Sequence, residues 1–319
     1  MKERLDKVIK KRRLIRSRTR AQRMIQAGRV RVNGRVITRP GHPIDTEATI
    51  EILSQERYVS RGGEKLEGAL TGFSVDPTGL VCLDIGSSTG GFTDCLIKHG
   101  AARVHAVDVG SGQLDQRLRH DRRVVVHENL NARYLAPQEI GEPIDLATID
   151  VSFISLRLIL PGLEEIIKST GTIVSLVKPQ YEAGRENVGK GGVVRDTAVH
   201  LHVLQHLQEF IEEKTPWTVV AAIRSPLLGP AGNIEFFFQL SQQSPGRLYV
   251  SEQDLTEIVS RAHDDDAGDD GLIPDDTGPA LAIKTMHIQR AKMFGSYRQI
   301  ISGCCITLFS LQNRSFHRL

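Results

Sequence analysis

The chain has few of the features that mark secreted, membrane-spanning or disulfide-stabilised proteins. Only 5% of its 319 residues are aromatic, and the four cysteines, Cys82, Cys95, Cys304 and Cys305, lack disulfide or metal-ligand spacing. No apolar run is long enough to cross a bilayer, and no apolar signal segment follows the charged N-terminus. We therefore expect a reduced, cytoplasmic protein that does not associate with membranes.

Basic residues are concentrated at the N-terminus. Residues 1–39 contain 15 Lys and Arg against two acidic residues, a net charge of +13, whereas residues 40–243 carry a net charge of −8. A basic block before an acidic body is typical of a nucleic-acid-binding module joined to another domain. A disordered basic tail is the alternative, and the apolar pattern inside the block argues against it.

The basic block has the pattern of a small domain of helices and strands. Apolar residues recur at helical spacing over residues 3–13 and again over residues 17–28. Asn33 and Gly34 lie between short apolar runs, which is a strong signal for a tight β-hairpin. Residues 44–53 supply another short strand.

The stretch Arg20–Gly34, which reads RAQRMIQAGRVRVNG, resembles the S-four RNA-binding domain, named for a small-subunit ribosomal protein. The resemblance implies that residues 1–53 bind structured RNA. Arginine contacts with phosphate would supply affinity without reading sequence, although roughly half of such arginines are expected to be solvated surface charges. The candidate RNA-binding residues are Arg16, Arg18, Arg20, Arg23, Arg29 and Arg31.

After a polar linker at residues 54–60, strand and helix patterns alternate over residues 61–243. Apolar strands are predicted at residues 81–85, 104–107, 124–126, 144–149, 172–177, 219–223 and 234–240. Helices are predicted at residues 64–70, 92–99, 113–119, 156–167 and 198–213. This alternation predicts an α/β fold with a seven-stranded, doubly wound sheet. The last two strands are joined without a helix, so the last strand is expected to be antiparallel, which is the pattern of class I (Rossmann-like) methyltransferases.

The segment Gly86–Gly91, which reads GSSTGG, follows the first predicted strand of this domain and opens a helix. Its spacing differs from the G-x-G-x-x-G of dinucleotide-binding proteins, which disfavours NAD and FAD. Asp108 ends the next strand, where a carboxylate can accept both ribose hydroxyls of an adenosine cofactor; a helix N-cap is the alternative. The predicted cofactor-binding residues are Asp84, Gly86, Ser88, Gly90, Gly91, Phe92, Asp108, Val109, Gln113 and Asp150.

Four charged residues are predicted to meet at the ligand-binding edge of the sheet. Asp150 and Lys178 end two parallel strands, Glu235 begins the reversed strand, and Lys65 opens the first helix. Taken singly, Lys65 is typical of a surface charge and Glu235 of a strand-end salt bridge, but four such residues at one edge favour a catalytic site. A lysine can accept a proton from a weakly acidic hydroxyl only when burial or a second cation lowers its pKa.

Five motifs resemble the haemolysin A (TlyA) family, in which an S-four domain precedes an FtsJ-like methyltransferase domain. They are Val59–Leu66, Leu83–Asp94, Ala106–Leu114, Asp150–Ser155 and Val177–Glu182. The resemblance, which covers residues 1–243, implies S-adenosylmethionine-dependent 2'-O-methylation of ribosomal RNA on cytidine. It implies ribosomal RNA or ribosomal subunits as partners, and we expect no obligate protein partner. It also implies a catalytic tetrad of Lys65, Asp150, Lys178 and Glu235.

Other segments are less informative. His200, His202 and His206 suggest zinc, but they offer one i, i+4 pair and no nearby acidic ligand, so no metal is expected. The glycine-rich loop at residues 183–195 is either a lid or RNA clamp or an ordinary solvent loop. Residues 244–319 are expected to form a disordered extension because acidic and glycine residues are frequent there.

Two other functions are compatible with parts of the sequence. One is a non-catalytic protein that binds RNA or the ribosome and keeps the fold. The other is a membrane-active haemolysin, which the missing signal peptide and spanning segment disfavour.

Overall fold

The computed structural model describes residues 2–15, 17–26, 28–53, 57–242 and 249–267. The chain divides into two compact units, with the boundary between Arg57 and Tyr58. The linker expected at residues 54–60 is partly wrong, because Tyr58 and Val59 are each only 4% exposed and belong to the second unit. Residues 54–56 lie outside the described part of the chain.

The first unit packs two helices against two small sheets. The helices are α1 (Leu5–Lys11) and α2 (Arg18–Gln26). The strands are β1 (Lys2–Arg4), β2 (Val30–Val32), β3 (Arg35–Val36), β4 (Pro43–Asp45) and β5 (Ile50–Ile52). Strand β1 pairs with β4, and β2 lies between β3 and β5. Apolar residues of both helices and of β2 form its core.

Local sequence signals explain most of this unit. The backbone N–H of Arg20 donates to Ser17 Oγ at 3.1 Å, so Ser17 caps the start of α2. Asn33 and Gly34 have φ values of +47° and +78°, and they join β2 to β3 in the predicted hairpin. The single strand expected over residues 44–53 is instead two strands, β4 and β5, which pair in different sheets.

The second unit is built on a seven-stranded sheet. Its strands are β6 (Val81–Ile85), β7 (Arg103–Asp108), β8 (Val124–Glu128), β9 (Ile144–Ile149), β10 (Ile167–Val177), β11 (Thr218–Arg224) and β12 (Phe236–Ser241). The spatial order is β11-β12-β10-β9-β6-β7-β8. Strand β12 is antiparallel to both neighbours, and β10, β9, β6, β7 and β8 are mutually parallel. The predicted doubly wound sheet with a reversed last strand is confirmed.

Helices cover both faces of this sheet. They are α3 (Gly62–Phe73), α4 (Gly91–Lys98), α5 (Gln116–Arg119), α6 (Pro137–Ile140), α7 (Pro179–Glu182), α8 (Thr197–Lys214) and α9 (Glu252–Ala267). Successive strand residues enter different cores: Leu146 packs with α3 and α4, whereas Ala147 packs with α8 and α9. This alternation follows from the pleat of a strand buried on both faces.

Residues 156–167 do not form the predicted helix. The segment contains two 3₁₀ turns, Leu156–Leu158 and Leu160–Leu163, and β10 already begins at Ile167. Pro161 explains the break, because proline has no N–H to donate and its ring disfavours a continuing helix. The apolar residues of these turns still pack in the core. The apolar spacing therefore predicted their burial correctly, but the predicted α-helix was wrong.

The expectation of disorder after residue 244 is wrong for residues 249–267. Helix α9 packs on α8 and β11, and Leu255, Val259 and Ala262 on one of its faces are each at most 1% exposed. These apolar residues recur at helical spacing, which is typical of a packed helix. The prediction of disorder instead followed from the acidic run that begins at Asp264. Residues 243–248 and 268–319, including Cys304 and Cys305, lie outside the described residues.

Candidate active site

Lys178 follows the last residue of β10 and contacts two acceptors on the loop after β9. Its Nζ lies 2.6 Å from Asp150 Oδ1 and donates to Ser152 Oγ at 3.0 Å. An ammonium group has three N–H donors, and no third partner of Lys178 lies among the described residues. The Lys178 side chain is 11% exposed and that of Asp150 is 26% exposed, so the pair is half-enclosed and still reachable.

The other two predicted catalytic residues form a deeper ion pair. Lys65 Nζ contacts Glu235 Oε2, and the two residues are 7% and 1% exposed. The second carboxylate oxygen, Oε1, is buried and has no hydrogen-bond partner within the described residues. It faces the backbone at Gly229, where an added Cβ would lie 2.5 Å from it. The Glu235 carboxylate therefore lies between Lys65 Nζ and the backbone of Gly229.

Strand register joins the two ion pairs. Val177 of β10 pairs with Phe236 of the antiparallel β12, so Lys178 and Glu235 are the next residues along that ladder. Ile149 of β9 pairs with Ser175 of the same β10, which places Asp150 at the same edge. The structure thus brings together Asp150, Lys178 and Glu235 by register, and Lys65 by its ion pair.

The glycine turn between β6 and α4 packs directly against this edge. Gly86 and Gly90 have φ values of +83° and +92°, and Ser88 between them has +46°, a region that glycine adopts at little cost. A Cβ at Gly86 would lie 2.4 Å from the carbonyl oxygen of Asp150, and the Asp150 N–H donates to Ile85 O at 2.9 Å. Only glycine fits at position 86.

Asp108 connects the glycine turn to the loop after β7. Its carboxylate accepts the N–H groups of Ser88 and Gly110, each at 2.7 Å. Neither donor lies in a helix, so Asp108 is not a helix N-cap. Ser88 Oγ lies 3.2 Å from Gln113 Oε1, and Val109 is 70% exposed beside them. The predicted cofactor residues Ser88, Asp108, Val109 and Gln113 therefore meet in one place.

Asp84 and Phe92, also predicted to bind a cofactor, lie in the interior instead. The Asp84 carboxylate accepts the hydroxyls of Thr93 at 2.6 Å and Thr148 at 3.2 Å, and burial raises its pKa to about 7. Phe92 packs against Phe237 with ring centroids 6.2 Å apart. The two residues support the glycine turn from behind and present no surface to a ligand.

Gly91 is a packing residue as well. A Cβ there would lie 2.3 Å from Ser60 Oγ and 3.0 Å from the backbone nitrogen of Gly63. The start of α4 therefore lies close to the start of α3, the helix that carries Lys65.

The segment after β8 completes the wall next to Asp108, and the sequence did not reveal it. Leu130 N–H donates to Asp108 O at 3.0 Å, and Asn129 N–H donates to Gly110 O at 3.2 Å. Glu128 Oε1 accepts the N–H of Gly112 at 2.8 Å. Nothing in local composition marks these residues, because their role depends on the pairing of β7 with β8.

An exposed aromatic residue next to Asp150 was also missed. Phe153 is 88% exposed and has a φ of +65°, which is unusual and strained for a bulky residue. Its ring lies 5.1 Å from that of Tyr181. The partly buried Glu182 carboxylate accepts hydrogen bonds from Ser155 Oγ at 2.6 Å and Leu156 N–H at 2.8 Å, so it connects the loop of Phe153 to α7. Burial raises the pKa of Glu182.

The glycine-rich loop at residues 183–195 is anchored at one end. Asn233, two residues before Glu235, accepts the N–H of Val194 and donates to Gly192 O, both at 2.9 Å. A cavity of about 380 Å³ opens between this loop and α7, lined by Gln180, Tyr181, Gly184, Arg185, Val188, Gly189 and Gly192. The loop thus lies beside α7, the helix that directly follows Lys178.

The arginines predicted to bind RNA have unequal surroundings in the first unit. Arg18 is ion-paired with buried Asp6 at 3.0 Å, and Arg31 with half-exposed Glu51 at 3.2 Å. Arg20 and Arg23 belong to α2, and Arg29 precedes β2. Arg16 lies outside the described residues.

The three histidines do not form a metal site. His200 is fully buried, and its Nδ1 lies 2.8 Å from His263 Nε2 on α9. Burial, and then the charge of His263, lower the pKa of His200 to about 4. The rings of His202 and His206 lie 3.8 Å apart between centroids and are tilted by 45°. Across the described ranges, no group of three or more His, Cys, Asp or Glu side chains is arranged to hold a metal ion.

None of the helices in the described part of the chain combines the length and apolarity that a membrane span requires.

A parallel sheet with a reversed last strand and a glycine turn after its first strand defines a class I methyltransferase fold. The FtsJ-like methyltransferase family matches residues 58–242, and the S4 domain matches residues 3–50. The chain therefore belongs to the FtsJ-like methyltransferase family and carries an S4 domain, as the resemblance to haemolysin A (TlyA) proteins indicated.

Individual relatives agree with this assignment. YqxC of Bacillus subtilis is 45% identical over 267 residues, which are 82% of this chain and 94% of that protein. The 16S/23S rRNA (cytidine-2'-O)-methyltransferase TlyA of Mycobacterium tuberculosis is 44% identical over 265 residues, 81% of this chain and 96% of its own length. A solved hemolysin-like structure from Streptococcus thermophilus is 41% identical, with a TM-score of 0.67, and the match covers 83% of this chain and 97% of that one.

Proposed function

We propose that this protein transfers a methyl group from S-adenosylmethionine to the ribose 2'-hydroxyl of a cytidine in ribosomal RNA. The observation that carries the proposal is Lys178, which has two acceptors in place and one N–H donor left at the carboxyl edge of the sheet. The Mycobacterium tuberculosis relative is named as a 16S/23S rRNA (cytidine-2'-O)-methyltransferase, which supports ribosomal RNA as the substrate and cytidine as the target nucleotide.

The residues around the glycine turn fit an adenosine-containing cofactor. The left-handed glycines let the turn pack closely: a Cβ at Gly86 would lie 2.4 Å from Asp150 O, and one at Gly90 would lie 2.3 Å from Leu118 Cδ1. Asp108 ends β7 with a carboxylate whose oxygens each accept one backbone N–H and retain further acceptor capacity for ribose hydroxyls. Ser88, Val109 and Gln113 lie around it. When bound there, S-adenosylmethionine supplies an electrophilic methyl group on its sulfonium.

The charged residues of this chain orient the 2'-hydroxyl and remove its proton. In this proposal the third N–H of Lys178, which has no acceptor among the described residues, binds the hydroxyl oxygen, while Asp150 and Ser152 orient the ammonium group. Loss of one proton from Lys178 would turn the same nitrogen into a general base. Buried Lys65 provides the second positive charge, and Glu235 keeps it at the edge of the sheet. Alignment and proton removal are what methylation of a weakly acidic hydroxyl requires.

Phe153 provides a surface for the base of the target nucleotide. It is the exposed aromatic residue of the loop that also carries Asp150 and Ser152. Unpaired RNA bases bind proteins by stacking on aromatic side chains, and enzymes that modify a nucleotide draw it out of its stack. A strained, exposed Phe whose ring contacts Tyr181, three residues after Lys178, is suited to such stacking.

The direct test is methyl transfer from tritiated S-adenosylmethionine to ribosomal subunits from a host that lacks this activity. Label should enter the rRNA, and mapping by reverse transcription should locate a 2'-O-methylated cytidine. Lys178→Met should abolish incorporation. Lys168→Met is the matched control, because Lys168 lies on β10, the strand that Lys178 follows, and pairs with Asp145 at the surface. Asp108→Ala should weaken binding of S-adenosylhomocysteine in calorimetry.

Other outcomes point to other functions. RNA binding without methyl incorporation into either subunit would favour a non-catalytic RNA-binding protein. Lysis of red cells by a protein that transfers no methyl group would favour a haemolysin. Tight binding of NADH without binding of S-adenosylhomocysteine would refute the cofactor assignment.

A further inference from the structure

The most basic segment of the chain contains a fully buried carboxylate. Asp6 is one of only two acidic residues among residues 1–39, it lies in the first turn of α1, and it is 0% exposed. Burying an ionised carboxylate is costly unless several hydrogen bonds compensate it. Its partners therefore indicate what the buried charge does.

Asp6 binds Arg4 of β1 and both Arg18 and Gln22 of α2. Arg4 donates to both carboxylate oxygens, from Nε at 3.0 Å and Nη2 at 3.1 Å. Arg18 Nε donates at 3.0 Å and Gln22 Nε2 at 2.7 Å. Burial disfavours the ionised form, but the hydrogen bonds of Arg4, Gln22 and Arg18 outweigh it and lower the pKa of Asp6. The carboxylate therefore remains charged and fixes both guanidinium groups.

The two arginines keep unused donors that face solvent. Arg18 contacts Asp6 through Nε alone, so both of its terminal nitrogens lack a partner among the described residues. The side chains of Arg4 and Arg18 are 47% and 44% exposed. A guanidinium group is a planar fork that matches phosphate oxygens in pairs. Fixing two such forks in advance reduces the entropy that binding would otherwise cost.

We infer that Arg4 and Arg18 form a clamp for an RNA backbone phosphate, and that Asp6 is the residue that positions them. The inference rests on the proposed function, since the phosphate belongs to the RNA substrate. Arg4 and Arg18 contact the phosphate, and Asp6 acts through them.

Net charge alone predicts the opposite change in RNA affinity, so the sign of the change distinguishes the two explanations. Removing the charge of Asp6 makes the protein more basic, and greater positive charge tightens nonspecific RNA binding. Positioning predicts weaker binding instead, because the guanidinium groups lose their orientation. Glu51 provides a matched control: it is an acidic residue of the same unit that pairs with Arg31, but it is 49% exposed.

The experiment measures binding of the full chain to a fluorescein-labelled RNA stem–loop by anisotropy at fixed salt. Asp6→Asn should bind about tenfold more weakly, the size of one charge-assisted hydrogen bond, whereas Glu51→Gln should bind as tightly as the wild type or more tightly. In methyl transfer, Asp6→Asn should raise KM for RNA and leave kcat and the KM for S-adenosylmethionine unchanged. Thermal unfolding establishes whether each variant is folded.

Folded Asp6→Asn that binds RNA as tightly as the wild type overturns the clamp, as does equal weakening in Asp6→Asn and Glu51→Gln. If Asp6→Asn does not fold, Arg18→Lys decides, because lysine keeps the charge and loses the fork: about threefold or greater weakening supports the clamp, and unchanged binding overturns it. A wild-type protein that binds RNA but transfers no methyl group refutes the proposed activity alone.

Discussion

Removing one partner of the buried ion pair between Lys65 and Glu235 is expected to cost more stability than removing both. The two residues are 7% and 1% exposed, so either partner alone would leave a charge without compensation in the interior. Breaking such a pair costs about 3–5 kcal/mol, whereas replacing both partners by apolar residues is often neutral. The variants are Lys65→Met, Glu235→Met and the double variant.

The expected changes are large enough for calorimetry. In a unit of about 200 residues, 1 kcal/mol changes Tm by about 2–4 °C, so each single variant should lose roughly 6–20 °C. The double variant should melt closer to the wild type than either single variant. Arg261→Met is the control, because its pair with Glu257 on α9 is 60% and 49% exposed; it should change stability by about 0.5 kcal/mol or less.

Two results would refute this reasoning. One is a Lys65→Met variant that melts within the range of Arg261→Met, which would show that the pair is solvated in solution. The other is a double variant whose loss equals the sum of the single losses, since independent effects add and coupled ones do not. Methyl transfer should be lost in all three variants of the pair, so stability and activity separate in the double variant.

Three further outcomes follow from the structure. Lys178→Arg should keep the fold and cofactor affinity and lose methyl transfer by about 10²–10⁴-fold, because arginine does not release its proton; near-normal turnover would exclude the base role and leave electrostatic positioning. Gly229→Ala should lower kcat, because its Cβ would lie 2.5 Å from Glu235 Oε1, whereas Gly162→Ala enters open space and should be silent; equal kcat for the two would contradict the proposed role of the carboxylate. In the folded protein the pKa of His200 is about 4, below the ordinary 6.5, so the unfolded chain takes up the proton first as pH falls. The free energy of unfolding should therefore decrease as pH falls from 6.5 towards 4. Calorimetry should find this decrease reduced in His200→Phe.

The sheet could be predicted because each strand is encoded locally. Apolar runs such as Ile144–Ile149 have strand length and are bounded by turn residues, and the missing helix before β12 predicted its reversal. Positions at strand ends then followed from the topology, which is why Asp150 and Lys178 were expected at one edge. Lys65 is in α3, and only tertiary packing connects it to Glu235.

Other features depend on contacts that composition does not encode. Pro161 stopped a helix that the apolar spacing favoured. Helix α9 follows from burial of Leu255 and Val259 against α8 and β11, while its acidic end suggested disorder. Asp84 was predicted to bind the cofactor, but its side chain on β6 lies in the interior and is 0% exposed. For α9 and Asp84, long-range packing outweighed the local signal, whereas at Pro161 one local signal outweighed another.

The contact between Gly86 and Asp150 has a consequence for how the family can vary. The backbone of Asp150 fills the space where a side chain at position 86 would lie, while its carboxylate holds Lys178. A change in the turn is therefore transmitted to Lys178, the proposed catalytic lysine, through one main-chain contact. In a mutational scan selected for methyl transfer, substitutions at position 86 should cause the same loss of activity as substitutions at position 150. A double substitution at 86 and 150 should lose little more activity than either single one.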